Sequence, residues 1–596
     1  MMPHIIGEIE YYSKNELMAR GWSPEMMVTL LPKKERKKRN VSITPNQKTV
    51  QYFWPVASVL EAEQSVEWQE MSERAREKRR RKQERREAKM ALKRQIRELS
   101  VDANPQDAYP EARRLDRRFI LHIGPTNSGK TYDALQRLKQ ANSGVYLGPL
   151  RLLALEVYDR FTDEGIPCNM ITGEESVFDP EAGITASTIE IMNTERHYEV
   201  AVIDEAQMIA DPFRGHNWTR ALLGLCADEI HVCMAPEAEE IVKAVIDECE
   251  DDYEVVYHER KTPLSFEKGS IALEDVQKGD ALVVFSRRSV LSLAAALARH
   301  HIRASVIYGD LPPASRREQV HKFASGETDV VVSTDAIGMG LNLAIRRIIF
   351  VEVKKFDGTD FRLLMPSEIK QVAGRAGRYG LSEKGFVMAL EHPSHVANAL
   401  EEPVDPIDIA YLGFPEKLLT LDGELMYLMH EWKRAPTEKF YVKMDLSEIE
   451  TMHEYLLENE RETFYKLEKQ ELYELLTCAV NIKNDDMMAQ WALYCRQYGR
   501  GDASYSLPEK TFGSDLKDLE TEYHCLDLYY QISRKTRRTY DEDYLAQRKM
   551  ELEAIIDEQL MRYKNRTSRR CARCGRYLPP DCTKLCPACK IRWKKG

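Results

Sequence analysis

Between residues 118 and 393 the chain alternates short, almost unbroken apolar runs with stretches of helical spacing. FILHIG, GVYLGP, VAVIDEA, IHVCMA, ALVVFS, ASVIYG, DVVVST and RIIFVEV are the apolar runs. Strands of this kind are apolar on both faces, and helices between them predict parallel sheets covered on both sides. A stretch of about 275 residues is long enough for two such domains, an α/β arrangement in tandem. From 394 to 560 the pattern becomes helical, as in SEIETMHEYLLENERETFYKLEKQELYELLT, and predicts a helical accessory domain.

The first 70 residues break into shorter pieces. Ser13 with Glu16 reads as a capping box opening a short helix that Gly21 would end. Ser23, Pro24 and Glu25 then supply an N-cap, a first-turn proline and an acidic residue for a second helix that runs to Leu31. A basic loop from Lys33 to Arg39 follows, and Tyr52-Phe53-Trp54-Pro55 reads as an extended entry to a third helix. The expectation is a small helical, winged-helix-like module over 1–70, fit for nucleic acid or for docking a protein. Residues 71–99 hold 13 basic and five acidic residues without Gly or Pro, which predicts a solvated helix suited to phosphate. The basic helix and a linker would span 71–117.

Charge then changes the picture. The 596 residues carry a net charge of −10, which argues against a nucleic-acid partner until the segments are separated. Residues 1–117 hold 25 Lys and Arg against 18 Asp and Glu, and residues 561–596 hold 12 against one, so both ends are positive. The stretch between them carries 49 against 77. No run approaches the roughly 20 apolar residues of a membrane helix. The start, MMPHIIGEIEYYSKNE, does not read as a secretory or Arg-rich transit segment. Seven single cysteines scattered from Cys168 to Cys525 fit a reducing compartment, and the expectation is cytoplasmic.

Three segments carry chemistry. Gly124-Pro125-Thr126-Asn127-Ser128-Gly129-Lys130-Thr131 has the spacing of a phosphate-binding loop, after the strand FILHI and before the helical run TYDALQRLKQ. The glycines let backbone N–H groups surround phosphates, Lys130 would meet the β and γ phosphates, and Thr131 would hold Mg²⁺. Some 75 residues on, the strand AVI ends in Asp204 and Glu205, placed for the Mg²⁺ shell and for the attacking water respectively. The second sheet region has Gln371-Val372-Ala373-Gly374-Arg375-Ala376-Gly377-Arg378, whose two arginines could face one phosphate site as arginine fingers.

Together these segments resemble the motifs of superfamily 2 helicases of the DExH type. Within them they resemble the ATP-dependent RNA helicase of the mitochondrial degradosome and its bacterial relatives. GPTNSGKT (124–131) is similar to motif I, YLGPLRLLALEV (146–157) to motif Ia, ITGEE (171–175) to motif Ib and VIDEAQMIADPFRG (202–215) to motif II. VVFSRR (283–288), STDAIGMGLNL (333–343) and QVAGRAGR (371–378) are similar to motifs IV, V and VI, and the likeness runs from about 118 to 560, including HCLDLYYQISRK (524–535). The resemblance implies two RecA-like domains, 118–258 and 259–393, with ATP and Mg²⁺ between them. Lys130, Thr131, Asp204 and Glu205 would form one wall, and Gln371, Arg375 and Arg378 the other. Asp335, Gly338 and Gly340 would link ATP state to grip on the strand. Pro149, Arg151, Thr172, Gly173, Ser286 and Thr334 would touch the sugar-phosphate backbone, with Arg151 making the strand channel locally basic. Movement would be 3′-to-5′ on RNA, with DNA open and an exoribonuclease partner suggested by the likeness alone. The different-class alternative is an ATP-clocked clamp that remodels without separating strands.

Two departures stand out. Cys233-Met234-Ala235-Pro236-Glu237-Ala238 sits where the family's motif III has Gly-Glu-Pro, which puts coupling of hydrolysis to unwinding in doubt. Asp357-Gly358, flanked by VEVKKF and TDFRLL, signals a hairpin that could split strands or be purely structural. In the tail, Cys571, Cys574, Cys586 and Cys589 form two C-x-x-C pairs with 11 residues between them. Four thiolates at this spacing favour closed, tetrahedral Zn²⁺, so 561–596 reads as a basic zinc ribbon, with Cys582 a fifth candidate the spacing does not require.

Overall fold

A computed structural model of the chain describes residues 4–6, 8–44, 47–100, 104–338, 343–357, 360–377, 384–437, 439–510 and 515–565. It divides into two compact units, Met1–Leu99 and Ser100–Gly596.

The first unit carries β1 (His4–Ile6), β2 (Ile9–Ser13), α1 (Lys14–Ala19), α2 (Pro24–Leu30), β3 (Lys37–Thr44), β4 (Gln47–Pro55), α3 (Val56–Glu63) and the long α4 (Val66–Ser100). The Ser13/Glu16 capping box forms as expected, with Glu16 Oε2 accepting from the Ser13 amide at 2.7 Å. The helical reading of the module needs correcting: its strands form an antiparallel sheet in the order β1-β2-β4-β3. The expected basic loop contributes Lys37, Lys38 and Arg39 to strand β3, which pairs with β4 across a hairpin. Trp22, Met26, Met27, Trp54 and Val59 are buried together, and Trp22 donates its indole N–H to Glu63 at 2.8 Å. A buried indole donor needs such a partner, and Glu63 also binds Arg20 at 2.6 Å.

The second unit opens with two tight turns, Pro105–Ala108 and Ala112–Arg114. These residues are not the expected linker. Arg113 donates to Cys249 O (2.8 Å) and Leu223 O (3.0 Å), and the buried Arg117 binds Asp251, so the segment is fastened to the first α/β domain. That domain runs through β5 (Arg118–Ile123), α5 (Lys130–Leu138), β6 (Gly144–Gly148), α6 (Arg151–Asp163), β7 (Cys168–Ile171), β8 (Ser176–Val177), β9 (Ile184–Thr188), β10 (Tyr198–Ile203), α7 (His216–Gly224), β11 (Ala227–Met234), α8 (Glu239–Asp247) and β12 (Asp252–Tyr257). The strand order is β12-β5-β11-β10-β6-β9-β7-β8, parallel except for β8. Its central strands are buried on both faces, as their unbroken apolar runs require.

The second α/β domain comprises β13 (Leu264–Phe266), β14 (Asp280–Val283), α9 (Arg287–Ala298), β15 (Ala304–Ile307), α10 (Pro313–Ala324), β16 (Val330–Ser333), β17 (Arg347–Phe350), the hairpin β18 (Lys354–Phe356) and β19 (Phe361–Leu363), α11 (Pro366–Ala373), β20 (Gly385–Ala389) and α12 (Pro393–Glu401). The main sheet is fully parallel in the order β13-β20-β17-β14-β16-β15. Val396 and Ala399 of α12 belong to this core, so the domain extends past the expected limit at 393. The hairpin expected around Asp357 forms, with Phe356 and Phe361 facing each other and exposed; Gly358 lies outside the described residues.

The remainder is helical, as expected, but begins differently. β21 (Ala410–Leu412) and β22 (Tyr441–Lys443), flanking α13 (Leu425–Arg434), form a parallel pair whose Ala410, Leu412 and Tyr441 complete the core of the first α/β domain. Helices α14 (Ser447–Asn459), α15 (Arg461–Phe464), α16 (Lys469–Leu476), α17 (Asp485–Arg500), α18 (Leu516–Lys535) and α19 (Glu542–Asn565) follow. Helix α18 meets both α/β domains. Tyr530 donates to Ser176 of the first (3.1 Å), and Glu520 accepts from Tyr308 (2.6 Å) and forms an ion pair with Arg287 (2.6 Å) of the second.

Candidate nucleotide cleft and strand-binding site

Parallel strands deliver their following loops to one edge, so β5 and β10 present residues 124–131 and 204–205 together. The loop is tightly seated: a Cβ on Gly124 would stand 2.3 Å from the His258 carbonyl oxygen, which only glycine avoids. Asn127 and Gly129 adopt positive φ of 64° and 97°, folding the loop back before α5 begins at Lys130. Lys130 Nζ donates to Gly124 O (2.6 Å) and Pro125 O (2.8 Å), spanning the loop from within. Burial lowers its pKa, and the nearby Glu205 and Asp204 carboxylates oppose that. Ser128 Oγ is buried and has no partner among the described residues. A loop with an internal cation and an orphaned hydroxyl fits a triphosphate.

Thr131 Oγ1 donates to Asp204 Oδ1 at 3.0 Å, bringing together the two groups expected at Mg²⁺. Tyr146 holds the other carboxylate oxygen of Asp204 at 2.9 Å, and the Trp218 indole donates to its carbonyl at 2.9 Å. Burial first, then the Glu205 charge, raises the Asp204 pKa to about 6. A carboxylate held so unwillingly ionised, beside a threonine hydroxyl, fits a divalent cation. Glu205 takes a left-handed conformation (φ 52°) and accepts from Gln207 Nε2. The same Gln207 side chain accepts from the Ala235 amide at 3.1 Å, so one residue joins Glu205 to the segment standing for motif III.

The second domain closes on this loop. Asn127 Nδ2 donates to Gly377 O at 3.0 Å, and a Cβ on Gly374 would meet the Thr126 Cβ at 2.6 Å. Arg375 donates twice to Gly338 O (3.0 and 2.6 Å), while Gln371 lies against Gly338. Motifs V and VI are thus bound to each other beside the loop. Asp335 faces Lys355 of β18 at 3.6 Å rather than the loop. Gly340, Arg378, Cys571, Cys574, Cys586 and Cys589 lie outside the described residues.

The residues expected on the strand behave less uniformly. Thr172 accepts from the Glu174 and Glu175 amides (3.3 and 3.1 Å), Ser286 caps α9 by accepting from Ser289 N (2.9 Å), and Thr334 accepts from Ala336 N (3.3 Å). Each hydroxyl shapes its own turn. Pro149 O accepts from Arg214, and Gly173 lies close to Gln531 of α18. Arg151 corrects the expectation of a basic channel wall. Its side chain is only 11% exposed and pairs with Glu175 (3.0 Å), Asp527 (3.5 Å) and Glu174 (3.8 Å). The resemblance placed it in the channel, but α18 brings a carboxylate onto it.

One residue in the cleft carries no motif signal. Arg260, between β12 and β13, donates to Thr126 O (2.9 Å) in the first domain and to Gly374 O (2.6 Å) and Ala376 O in the second. A lone arginine in a linker has no sequence pattern to mark it.

Residues 105–258 match the DEXQ-box helicase domain of Suv3, and residues 268–380 match the helicase conserved C-terminal domain. These two matches fall on the two RecA-like domains of the fold, and both are helicase domains. Its similarity to "ATP-dependent RNA helicase SUV3, mitochondrial" of Candida albicans is 44% identity over 319 residues, 52% of this chain and 44% of that one. To "ATP-dependent RNA helicase SUPV3L1, mitochondrial" of Homo sapiens it is 36% over 496 residues, 78% of this chain and 62% of the relative. Of the two domains, the first carries the match specific to Suv3. The chain spans less than two thirds of the length of these curated relatives. Among solved structures, the Escherichia coli DEAH/RHA helicase HrpB aligns at 16% identity and TM-score 0.46, covering 80% of this chain and 65% of that one.

The cytoplasmic expectation is overturned by these relatives, which are named mitochondrial. Its basis was scattered reduced cysteines, and a reducing environment does not distinguish one compartment from another.

Proposed function

We propose that the chain is an ATP-dependent RNA helicase. The observation that carries this is the convergence of Lys130, Thr131, Asp204 and Glu205 on one face of a cleft whose other face is Gln371 and Arg375. ATP is the substrate of the cleft. Loop amides and Lys130 bind its phosphates, and Glu205 orients the attacking water and takes its proton. Thr131 and Asp204 would hold Mg²⁺, which would supply charge neutralisation on the phosphate oxygens. Arg375 and Arg378 act on the γ-phosphoryl charge once Arg375 leaves the Gly338 carbonyl. Pro149, Thr172, Gly173, Ser286 and Thr334 follow the sugar-phosphate backbone, with RNA the substrate and DNA an open alternative. Work requires that ATP and its products favour different cleft states.

The domain scheme proposed is a 1–70 module, a basic helix, two RecA-like domains, a helical domain and a zinc ribbon over 561–596. Both basic ends serve as loading arms, and the ribbon's four cysteines hold Zn²⁺. An exoribonuclease partner rests on family likeness alone. A labelled duplex with a 3′ overhang, made in matched RNA, DNA and hybrid forms, tests the reading. ATP-driven strand release on RNA supports the helicase, and hydrolysis without release supports the remodelling clamp.

A further inference from the structure

Arg260 lies in the short segment connecting the two α/β domains, between Tyr257 at the end of β12 and Leu264 at the start of β13. Its guanidinium points four donors at four backbone carbonyls. Nε reaches Thr262 O (2.6 Å), one terminal nitrogen reaches both Thr126 O (2.9 Å) and Gly374 O (2.6 Å), and the other reaches Ala376 O. Thr126 belongs to the nucleotide loop, and Gly374 and Ala376 to the segment that carries Gln371 and Arg375. No carboxylate lies against Arg260 among the described residues. A half-buried cation satisfied only by carbonyl dipoles is uncommon, since burial works against the charge. That burial, with the Arg375 charge next to it, pushes its pKa down to about 10.

The arrangement has a specific mechanical content. Two of the four acceptor groups sit on opposite walls of the cleft, and one nitrogen serves both. The fork is therefore fully engaged only when the loop and the motif VI segment are in contact. In that same contact Gly374 seats on Thr126 and Asn127 bonds Gly377. A lysine could not replace it, because a single ammonium cannot span carbonyls in the plane of a fork.

We propose that Arg260 is a positioning residue for ATP hydrolysis, a latch that holds motif VI against the nucleotide loop and biases the cleft toward closure. This rests on the function proposed above. The latch touches neither substrate nor reacting atoms; it sets how often Gln371 and Arg375 face the phosphates. If only the closed fraction binds ATP productively, apparent affinity scales with that fraction, so loss of the latch raises KM as well as lowering kcat. RNA bound across both domains also favours closure and would substitute for it.

The test is steady-state ATPase of the full chain with Arg260→Gln and Arg260→Lys, without RNA and with saturating poly(U). The latch predicts that Arg260→Gln lowers kcat about ten- to a hundredfold without RNA, a loss of the size that misplacement of groups produces. KM for ATP rises severalfold, poly(U) recovers part of both losses, and Arg260→Lys falls between. Hydrogen exchange adds a readout independent of hydrolysis: segments 124–131 and 371–377 exchange faster in nucleotide-free Arg260→Gln. Wild-type kcat, KM and exchange in Arg260→Gln would overturn the latch, as would a kcat loss that poly(U) leaves untouched. If Arg260→Gln lowers the melting midpoint sharply, Arg260→Lys decides by the same criteria. A wild-type chain without ATPase activity refutes the proposed function instead, and the exchange comparison then judges the latch alone.

Discussion

Asp527 of α18 and Arg151 of the first α/β domain, 376 residues apart in sequence, stand 3.5 Å apart in the fold. Lys549 of α19 joins the same carboxylate at 2.5 Å, and His524 lies at 3.8 Å. Burial works against the Asp527 charge, but Lys549, His524 and Arg151 together hold its pKa well below the usual range. The Asp527 carboxylate thus takes up charge on Arg151 that a phosphate would otherwise meet. Asp527→Asn should therefore free Arg151 and Lys549 for RNA. Tighter binding at moderate salt is expected, with a log–log salt slope steeper by about 0.9 for each freed cation that meets a phosphate. Breaking a buried pair also costs about 3 kcal/mol of stability, readable in urea denaturation. A binding isotherm and slope equal to wild type would show that Arg151 does not reach the strand.

The nucleotide wall makes a sharper demand. Lys130→Ala removes the cation that bridges Gly124 and Pro125 of the loop, and Glu205→Gln keeps the shape while removing the base. Each should lower RNA-stimulated ATPase by at least about a hundredfold, since a positioned base alone contributes on that order. Turnover near wild type in both would refute the assignment of this cleft.

Much of this could be read from the chain because strand and loop are written locally. FILHI before GPTNSGKT and AVI before Asp204 place both motifs at the same sheet edge without knowledge of the rest. What could not be read comes from contacts distant in sequence. Arg117 and Asp251, Arg151 and Asp527, and Arg260 with Thr126 and Gly374 are pairings that no local spacing encodes. The first unit hides its sheet for another reason. Lys37, Lys38 and Arg39 have loop-like composition, and they become a strand only because β4 offers a partner edge. Ala410, Leu412 and Tyr441 likewise read as parts of a helical region until they close the core of a sheet hundreds of residues earlier.

Helix α18 grips the second domain through Glu520, buried against Arg287 and Tyr308, with Asp310 and His524 also facing it. Burial outweighs Arg287 and Tyr308 and raises the Glu520 pKa to about 7. An acid whose folded pKa is raised contributes stability below its unfolded pKa and loses it as pH rises through the folded value. Glu520→Gln mimics the protonated form. It should match wild type near pH 4.5, gain on it as pH rises from there, and keep a constant advantage above about 7, in paired urea midpoints. A wild type that gains on the variant over that range would show the ionised Glu520 to be the favoured form.

The tail makes a prediction separable from the motor. Four thiolates on one ion predict one tightly held zinc per chain, measured by elemental analysis after dialysis. Cys574→Ser or Cys586→Ser should lose it, whereas Cys582→Ser should keep it. ATPase without RNA should be unchanged in all three, because Thr131 and Asp204 lie in a different part of the chain. Equal zinc loss in the Cys582→Ser variant would make that residue a ligand.

Gln207 bears on the departure at motif III. Its amide nitrogen binds the Glu205 carboxylate, and its oxygen accepts from the Ala235 amide at 3.1 Å, in the stretch where Gly-Glu-Pro is missing. The main-chain amide of Ala235 makes this link, so it does not depend on which side chains the segment carries. The link to Glu205 is therefore kept although Cys233-Met234-Ala235 replace the usual residues. An amide also has one donor and one acceptor side, so Gln207 can turn from Glu205 only by leaving Ala235 as well. Gln207→Ala should then retain nucleotide binding and a substantial part of ATPase while strand release per ATP hydrolysed falls severalfold. Gln207→Glu should be worse for hydrolysis, because a second carboxylate would face Glu205 and leave the Ala235 link dependent on its protonation. The measurement is unwound duplex divided by phosphate released, on one 3′-overhang RNA. A ratio equal to wild type in Gln207→Ala would remove Gln207 from the coupling route and return it to a purely local role beside Glu205.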